Sequence, residues 1–253
     1  MQLNTVEIGE GPPLAILHGL FGQARNFATV QRRLAARRRV LAVDLRNHGS
    51  SPRAASMGYA EMAADVAQTL RGRGALPACV LGHSMGGKVA MALALRHPEA
   101  VSRLIVADIA PRPYPARLRG YVAGLRALPL HAGISRREAD EALTPAVADA
   151  GVRGFLLQSL DLSAEGAPRW LLGLEGIAAS MPQIEGFAEA GRYEGPVLVI
   201  AGARSDYITP DDRAVFLRHF PQARFAEVPG AGHWLHADNP DAFTALVEEF
   251  CPP

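Results

Sequence analysis

One serine, one histidine and two aspartates carry the chemistry open to this chain. Ser84 stands at the apex of Gly82-His83-Ser84-Met85-Gly86, after an apolar run (Ala78–Leu81) and before a small-residue helical pattern (Val89–Leu95). That layout predicts strand, sharp turn and helix, with a hydroxyl held clear of the sheet edge. A Cβ at either glycine would collide with the neighbouring strand or helix. The five-residue pattern alone is a weak signal; bracketed by strand and helix, it points to a nucleophile.

A serine hydroxyl is a poor nucleophile at neutral pH, so it needs a base, and the base needs an orienting acid. His233 is the best base, in the glycine-rich loop Pro229-Gly230-Ala231-Gly232-His233-Trp234 after the last expected strand. Two aspartates compete for the acid. Asp108 ends the apolar run Leu104–Ala107, and Asp206 follows the next strand in Ala203-Arg204-Ser205-Asp206-Tyr207. Both preserve the chain order Ser, Asp, His. A tetrahedral oxyanion needs fixed donors, and the backbone amides of Met85 and Leu20 are the expected pair. Each such donor is worth about 3–4 kcal/mol to the transition state.

Other polar residues have quieter expected roles. His18 reads as a loop brace, and Asp44–Ser50 as a hydrogen-bonded turn beneath the site. Lys88 reads as a structural partner for a carboxylate or carbonyl. His83 is expected to point away from the site, while His131 and His236 look like surface or packing residues. Candidate pocket residues are Phe21, Leu156, Leu157, Trp170, Leu171 and Trp234.

The elements that must position these groups follow from the hydrophobic rhythm. Short apolar runs at Leu14–Leu17, Val40–Val43, Ala78–Leu81, Leu104–Ala107 and Val197–Ala201, with a weaker one near Arg224–Val228, alternate with helical patterns. Helices are expected over Phe27–Ala36, Tyr59–Arg71, Lys88–Arg96, Arg213–His219 and Asp241–Phe250. That alternation predicts a mainly parallel sheet covered on both faces, whose strands are apolar throughout. Between Pro111 and about Ala190 the strand-like runs vanish. Helical patterns at Tyr114–Leu128, Pro145–Leu160 and Arg169–Ala179, and a Ser135…Glu138 capping box, predict a helical lid. The expected organisation is a core of 1–111 and 191–253 with an inserted cap at 112–190.

Composition narrows the classes further. The 253 residues are 49% hydrophobic and 20% charged, enough for a large core, with a formal net charge of +1. Nucleic acid is disfavoured as a partner, because phosphate binding needs a concentrated basic face. Lys88 is the one lysine among 26 basic residues, which suggests a GC-rich bacterial genome. The two cysteines, Cys79 and Cys251, read as free thiols, and no metal-ligand spacing appears. No signal segment or apolar run of membrane-spanning length is seen, so a cytoplasmic protein is expected.

Taken together, His18–Gly22, Asp44–Ser51, Gly82–Met91, Asp108-Ile109-Ala110-Pro111 and Gly230–Ala237 resemble the α/β-hydrolase superfamily, and within it the YbfF-type bacterial esterases. The resemblance implies an eight-stranded sheet, a helical cap, and cleavage of carboxylic esters or acyl thioesters without a cofactor. It also implies that the acid is the aspartate after the sixth strand, here Asp108, with Ser205 beside the histidine. Asp206 stands where most of the wider superfamily keeps its acid. The leading expectation is a serine esterase or thioesterase acting on a small molecule through an acyl-enzyme. Carbon–carbon bond hydrolysis or a lyase reaction with the same triad is the alternative, and a ligand-binding receptor on this scaffold a more distant one.

Overall fold

The computed structural model describes residues 1–163 and 167–252; residues 164–166, within the expected cap, and residue 253 lie outside the described residues. Nine strands and ten α-helices are described. The strands are β1 (Thr5–Ile8), β2 (Pro13–Leu17), β3 (Arg39–Val43), β4 (Ala78–His83), β5 (Val101–Ala107), β6 (Leu160–Asp161), β7 (Arg169–Trp170), β8 (Val197–Gly202) and β9 (Ala223–Val228). The helices are α1 (Ala28–Leu34), α2 (Tyr59–Gly72), α3 (Met85–Arg96), α4 (Arg119–Ala127), α5 (Arg136–Leu143), α6 (Ala150–Leu157), α7 (Leu174–Glu185), α8 (Asp212–His219), α9 (Leu235–Asp238) and α10 (Pro240–Phe250).

Seven strands form one sheet in the order β1-β3-β2-β4-β5-β8-β9, parallel except for the antiparallel β1–β3 pair. The period of two along each strand divides the core between the faces. Leu14, Ile16, Val40, Ala42, Cys79, Leu81, Ile105 and Ala107 pack with residues of α1 and α10 on one face. Ala15, Leu17, Leu41, Val43, Val80, Leu104 and Val106 pack with α2 and α3 on the other. Burial on both faces explains why the inner stretches Leu14–Leu17, Val40–Val43, Val80–Leu81 and Leu104–Ala107 are apolar, while polar residues such as Ser102, Arg224 and Glu227 fall at strand starts and on the edge strand.

Four expectations change. The sheet has seven described strands where eight were expected, because β1 alone makes its antiparallel end. Gly9 (φ +80°) and Gly11 (φ +107°) turn the chain directly from β1 into β2. Arg169 opens no helix: β7 pairs with β6 in a two-stranded ribbon, and the Gly173 amide donates to Asn47 O at 2.8 Å, so helix α7 begins only at Leu174. The helix expected from Tyr114 starts at Arg119, because Pro113 and Pro115 disfavour helical backbone before it. Finally, Cys79 and Cys251 are not free thiols but form a disulfide. Cys79 faces the side of the sheet on which α10 packs, and the end of that helix brings Cys251 to it, 172 residues further along the chain.

Four helices and the β6–β7 ribbon occupy the chain between β5 and β8. The Ser135 capping box is formed: Ser135 Oγ accepts from the Glu138 amide at 3.2 Å, and Glu138 Oε2 accepts from the Ser135 amide at 2.8 Å. Core and inserted segment meet at the end of α7. There Tyr59 Oη donates to Ile184 O at 2.6 Å, and Lys88 Nζ donates to Glu185 O at 3.1 Å.

Candidate active site

β4 delivers Ser84 to the carboxyl edge of the sheet in the left-handed region (φ +53°, ψ −124°), and α3 starts at the next residue. A non-glycine residue held there stores strain that the surrounding packing must over-determine. The glycines make that turn possible. A Cβ on Gly82 would stand 2.1 Å from Gly86 O, and one on Gly86 2.4 Å from Leu17 O. A Cβ on Gly19 would stand 3.1 Å from Ser84 Cβ, so the loop after β2 runs against the serine.

Neither the Leu20 nor the Met85 amide has a protein acceptor among the described residues. Two buried histidines hold the loop that carries Leu20. The Leu45 amide donates to His18 Nε2 at 3.0 Å, so His18 Nδ1–H donates to Gly19 O at 2.8 Å. The Phe21 amide, at φ +67°, donates to His48 Nε2 at 3.1 Å, and His48 Nδ1–H donates to Arg46 O at 2.8 Å. Burial lowers the pKa of both rings, keeping them neutral and able to accept. Asp44 anchors the turn below: its carboxylate accepts from the Ala24 amide at 2.7 Å and the Ser50 amide at 2.9 Å. The brace expected of His18 and of the Asp44–Ser50 turn has this form.

At the end of the neighbouring strand, Asp108 also has a left-handed backbone (φ +53°), and it is fully buried. Its Oδ1 accepts from the Gly202 amide at 3.1 Å; its Oδ2 accepts from Ser205 Oγ and, at 2.8 Å, from His233 Nδ1. With Nδ1–H donated to the carboxylate, the lone pair is on Nε2. Asp206, by contrast, is 77% exposed at its side chain and lies 3.5 Å from Arg117. Of the two competing aspartates, only Asp108 is recorded in contact with His233.

His83 does not point away as expected. It is buried, and its Nε2–H donates to His233 O at 2.7 Å, bracing the backbone of the loop. Nothing in the local pattern singled out Tyr207, whose ring stacks on the His233 imidazole with centroids 3.7 Å apart. Its position two residues beyond Ser205, in the loop that contacts Asp108, was the only available signal.

Ser84 lies at the junction of two chambers. The larger, about 440 Å³, contains His233, Trp234, Leu20, Phe21, Phe155 and Leu156 in its wall. The smaller, about 210 Å³, is walled by Leu20, Met85, Ile109, Met181, Ile184 and Lys88 among others. Three expected pocket residues are absent from both. Leu157 is buried in the core, Trp170 belongs to β7, and Leu171 follows it in the segment whose amide donates to Ser159 O. One step along α6 turns a side chain by about 100°, which separates Leu157 from Leu156.

Comparison with known proteins gives the family. The profile of the family described as "alpha/beta hydrolase fold" matches residues 12–240. The sn-1-specific diacylglycerol lipase ABHD11 of Mus musculus is 38% identical over 248 residues, covering 94% of this chain and 80% of that protein. Esterase YbfF of Escherichia coli is 34% identical over 239 residues, covering 94% of this chain and 92% of its own. Among solved structures, a marine microorganism esterase superposes with a TM-score of 0.94 at 34% identity, with 99% of both chains covered.

Proposed function

The chain belongs to the α/β-hydrolase family and is similar to its YbfF-type esterases, and from that premise we propose that it is a serine hydrolase of carboxylic esters and acyl thioesters working through an acyl-enzyme. The observation that carries this reading is the 2.8 Å contact of the buried Asp108 carboxylate with Nδ1 of His233, a residue that lines one cavity together with Ser84. His233 Nε2 takes the Ser84 hydroxyl proton as Oγ bonds to the substrate carbonyl carbon. The resulting oxyanion accepts from the Leu20 and Met85 amides, which need no reorganisation to receive it.

As the carbon–oxygen or carbon–sulfur bond breaks, His233 returns the proton to the leaving group. Water then repeats the sequence on the acyl-enzyme, releasing the acid and restoring Ser84. Asp108 holds the imidazole in the required tautomer and stabilises its protonated form, while Ser205 fixes the carboxylate. In this reading residues 112–190 are a lid that closes over the carboxyl edge and sorts substrates. Mechanism and lid alike rest on this chain's own residues.

Among the described residues, no helix is long and apolar enough to cross a membrane. A cytoplasmic setting, expected from the sequence, would favour reduced thiols at Cys79 and Cys251. Trapping free thiols in intact cells before lysis tests that setting. For the mechanism, an active-site-directed organophosphonate should add one mass equivalent to the protein, and Ser84→Ala should abolish the adduct. An adduct that persists in Ser84→Ala would remove the serine from the chemistry.

A further inference from the structure

We propose that the smaller chamber binds short acyl groups whose far end is a carboxylate, and that Lys88 receives that carboxylate. The proposal rests on the reading of Ser84 as an acyl-transfer nucleophile and adds the substrate class to it.

The direction of proton transfer assigns the two chambers. The leaving oxygen or sulfur must take its proton from His233, so the leaving group lies on the His233 side. His233, Gly232 and Trp234 line the larger chamber, and none of them lines the smaller. The acyl substituent then extends the other way, past Leu20 and Met85 into the smaller chamber. The smaller chamber, about 210 Å³ against about 440 Å³ for the larger, suits the shorter of the two substituents.

The chamber wall is mostly apolar (Leu20, Met85, Ile109, Met181, Ile184), with the chain's one lysine set into it. Lys88 is 2% exposed, and its Nζ donates to Glu185 O at 3.1 Å and Gly186 O at 2.8 Å. An ammonium has three donors, so one remains. The other cations of the wall are matched: Arg112 pairs with Asp212 at 2.6 Å, and Arg117 lies 3.5 Å from Asp206. The Glu185 carboxylate, whose charge acts on Lys88, pairs with Arg119 at 2.6 Å. Among the described residues Lys88 makes no ion pair.

Among the described residues the groups around Lys88 bring it no paired negative charge. Tyr59 on α2 and Tyr114 after β5 stay protonated, because burial raises both phenols, and they offer only ring faces at 5.8 and 4.9 Å. Burial, then the Arg112 charge, lower Lys88 to about 7 against a smaller opposing pull from Glu185. A carboxylate seated on Nζ supplies the missing counter-charge, accepts the remaining donor and raises that value.

The test compares monobenzyl succinate with benzyl 4-methylpentanoate, which replaces the carboxylate with an isopropyl group of similar shape. The wild type should favour the succinate in kcat/KM, and Lys88→Met should reduce that preference by about ten- to a hundredfold, the worth of one charge-assisted hydrogen bond. Because Lys88 also binds the end of α7, a second measurement uses the intact protein. In protein labelled with 15N-lysine, the single Nζ resonance should titrate near neutrality, and saturating succinate should move its midpoint upward by a unit or more. A wild type that prefers the isopropyl ester, a preference untouched by Lys88→Met, or a midpoint indifferent to succinate overturns the proposal. Failure to cleave either ester while succinate still moves the resonance overturns the hydrolase reading and leaves the carboxylate site standing.

Discussion

The carboxyl edge of the sheet and the segment inserted between β5 and β8 are built on opposite terms. At the edge, Ser84 and Asp108 end adjacent parallel strands, both in left-handed backbone, and both Asp108 oxygens are occupied by hydrogen bonds. The inserted segment presents ion pairs to water. Arg137–Glu141 is 77% and 61% exposed and Arg126–Glu175 is 46% and 80% exposed, the kind of pair worth about 0–1 kcal/mol. A buried, fully bonded carboxylate cannot change without leaving partners unpaired, whereas an exposed helical layer tolerates new side chains. On the reading proposed above, the difference divides chemistry from selectivity: the buried edge would fix one reaction, and the exposed inserted helices would vary what is presented to it.

The sharpest way to break this contrast is at the two aspartates. Asp108→Asn should lower kcat by about ten-thousandfold, the loss seen for the equivalent change in serine proteases, because an amide stabilises the wrong imidazole tautomer. Asp206→Asn, at an exposed site paired only with Arg117, should change kcat by less than about threefold, since surface pairs contribute little. Steady-state kinetics on one chromogenic ester reads both. The reverse ranking would move the acid out of the buried edge and dissolve the distinction.

A smaller effect is expected in the inserted helices. Phe155 on α6 packs on Trp234 with ring centroids 5.3 Å apart, and both line the larger chamber. Phe155→Ala should shift kcat/KM among esters of different alcohols by about tenfold, in keeping with 1–3 kcal/mol of selectivity from pocket shape, while phosphonate labelling of Ser84 persists. An unchanged ranking of alcohols would show that α6 does not sort the leaving group.

The smallest effect concerns pH and stability at the edge. His236 is buried and stacked on Phe27 at 4.1 Å, its Nδ1 has no partner among the described residues, and burial followed by the His233 charge lowers its pKa from 6.5 to about 3. Its folded form excludes a proton that the unfolded chain binds below about 6.5. This contribution to stability is therefore complete above pH 6.5 and is lost progressively as pH falls toward 3. His236→Phe should flatten the fall in melting temperature between pH 7 and 5. An identical slope in the variant would show that the ring carries none of that dependence.

Much of this was legible in sequence, and the failures have physical causes. The six parallel strands, the turn around Ser84 and the His233 loop follow from local patterns: apolar runs, forced glycines and chain order. The choice between Asp108 and Asp206 was not local. It depends on the β5–β8 pairing that brings Gly202 and Ser205 to Asp108, and only the family resemblance favoured Asp108 beforehand. Leu157 and Trp170 fit as apolar pocket residues by composition, but helix phase and the β6–β7 ribbon turned them elsewhere. The sequence makes Lys88 a partner for a carboxylate or carbonyl, and it binds two carbonyls. The chamber it faces is made by α2, α3 and α7 together, and no single stretch of sequence announces it.

The disulfide has a consequence for the molecule's continuity. Cys79 and Cys251 close a covalent ring of chain that includes the whole inserted segment. A protease cutting once in an exposed connection between inserted helices, the kind of site where nicking concentrates, would open that ring without dividing the molecule. The products would migrate as one species in a non-reducing gel and as two after thiol treatment. Ser84 and His233 would stay on one covalent body even though a single cut in that segment puts them on different peptides.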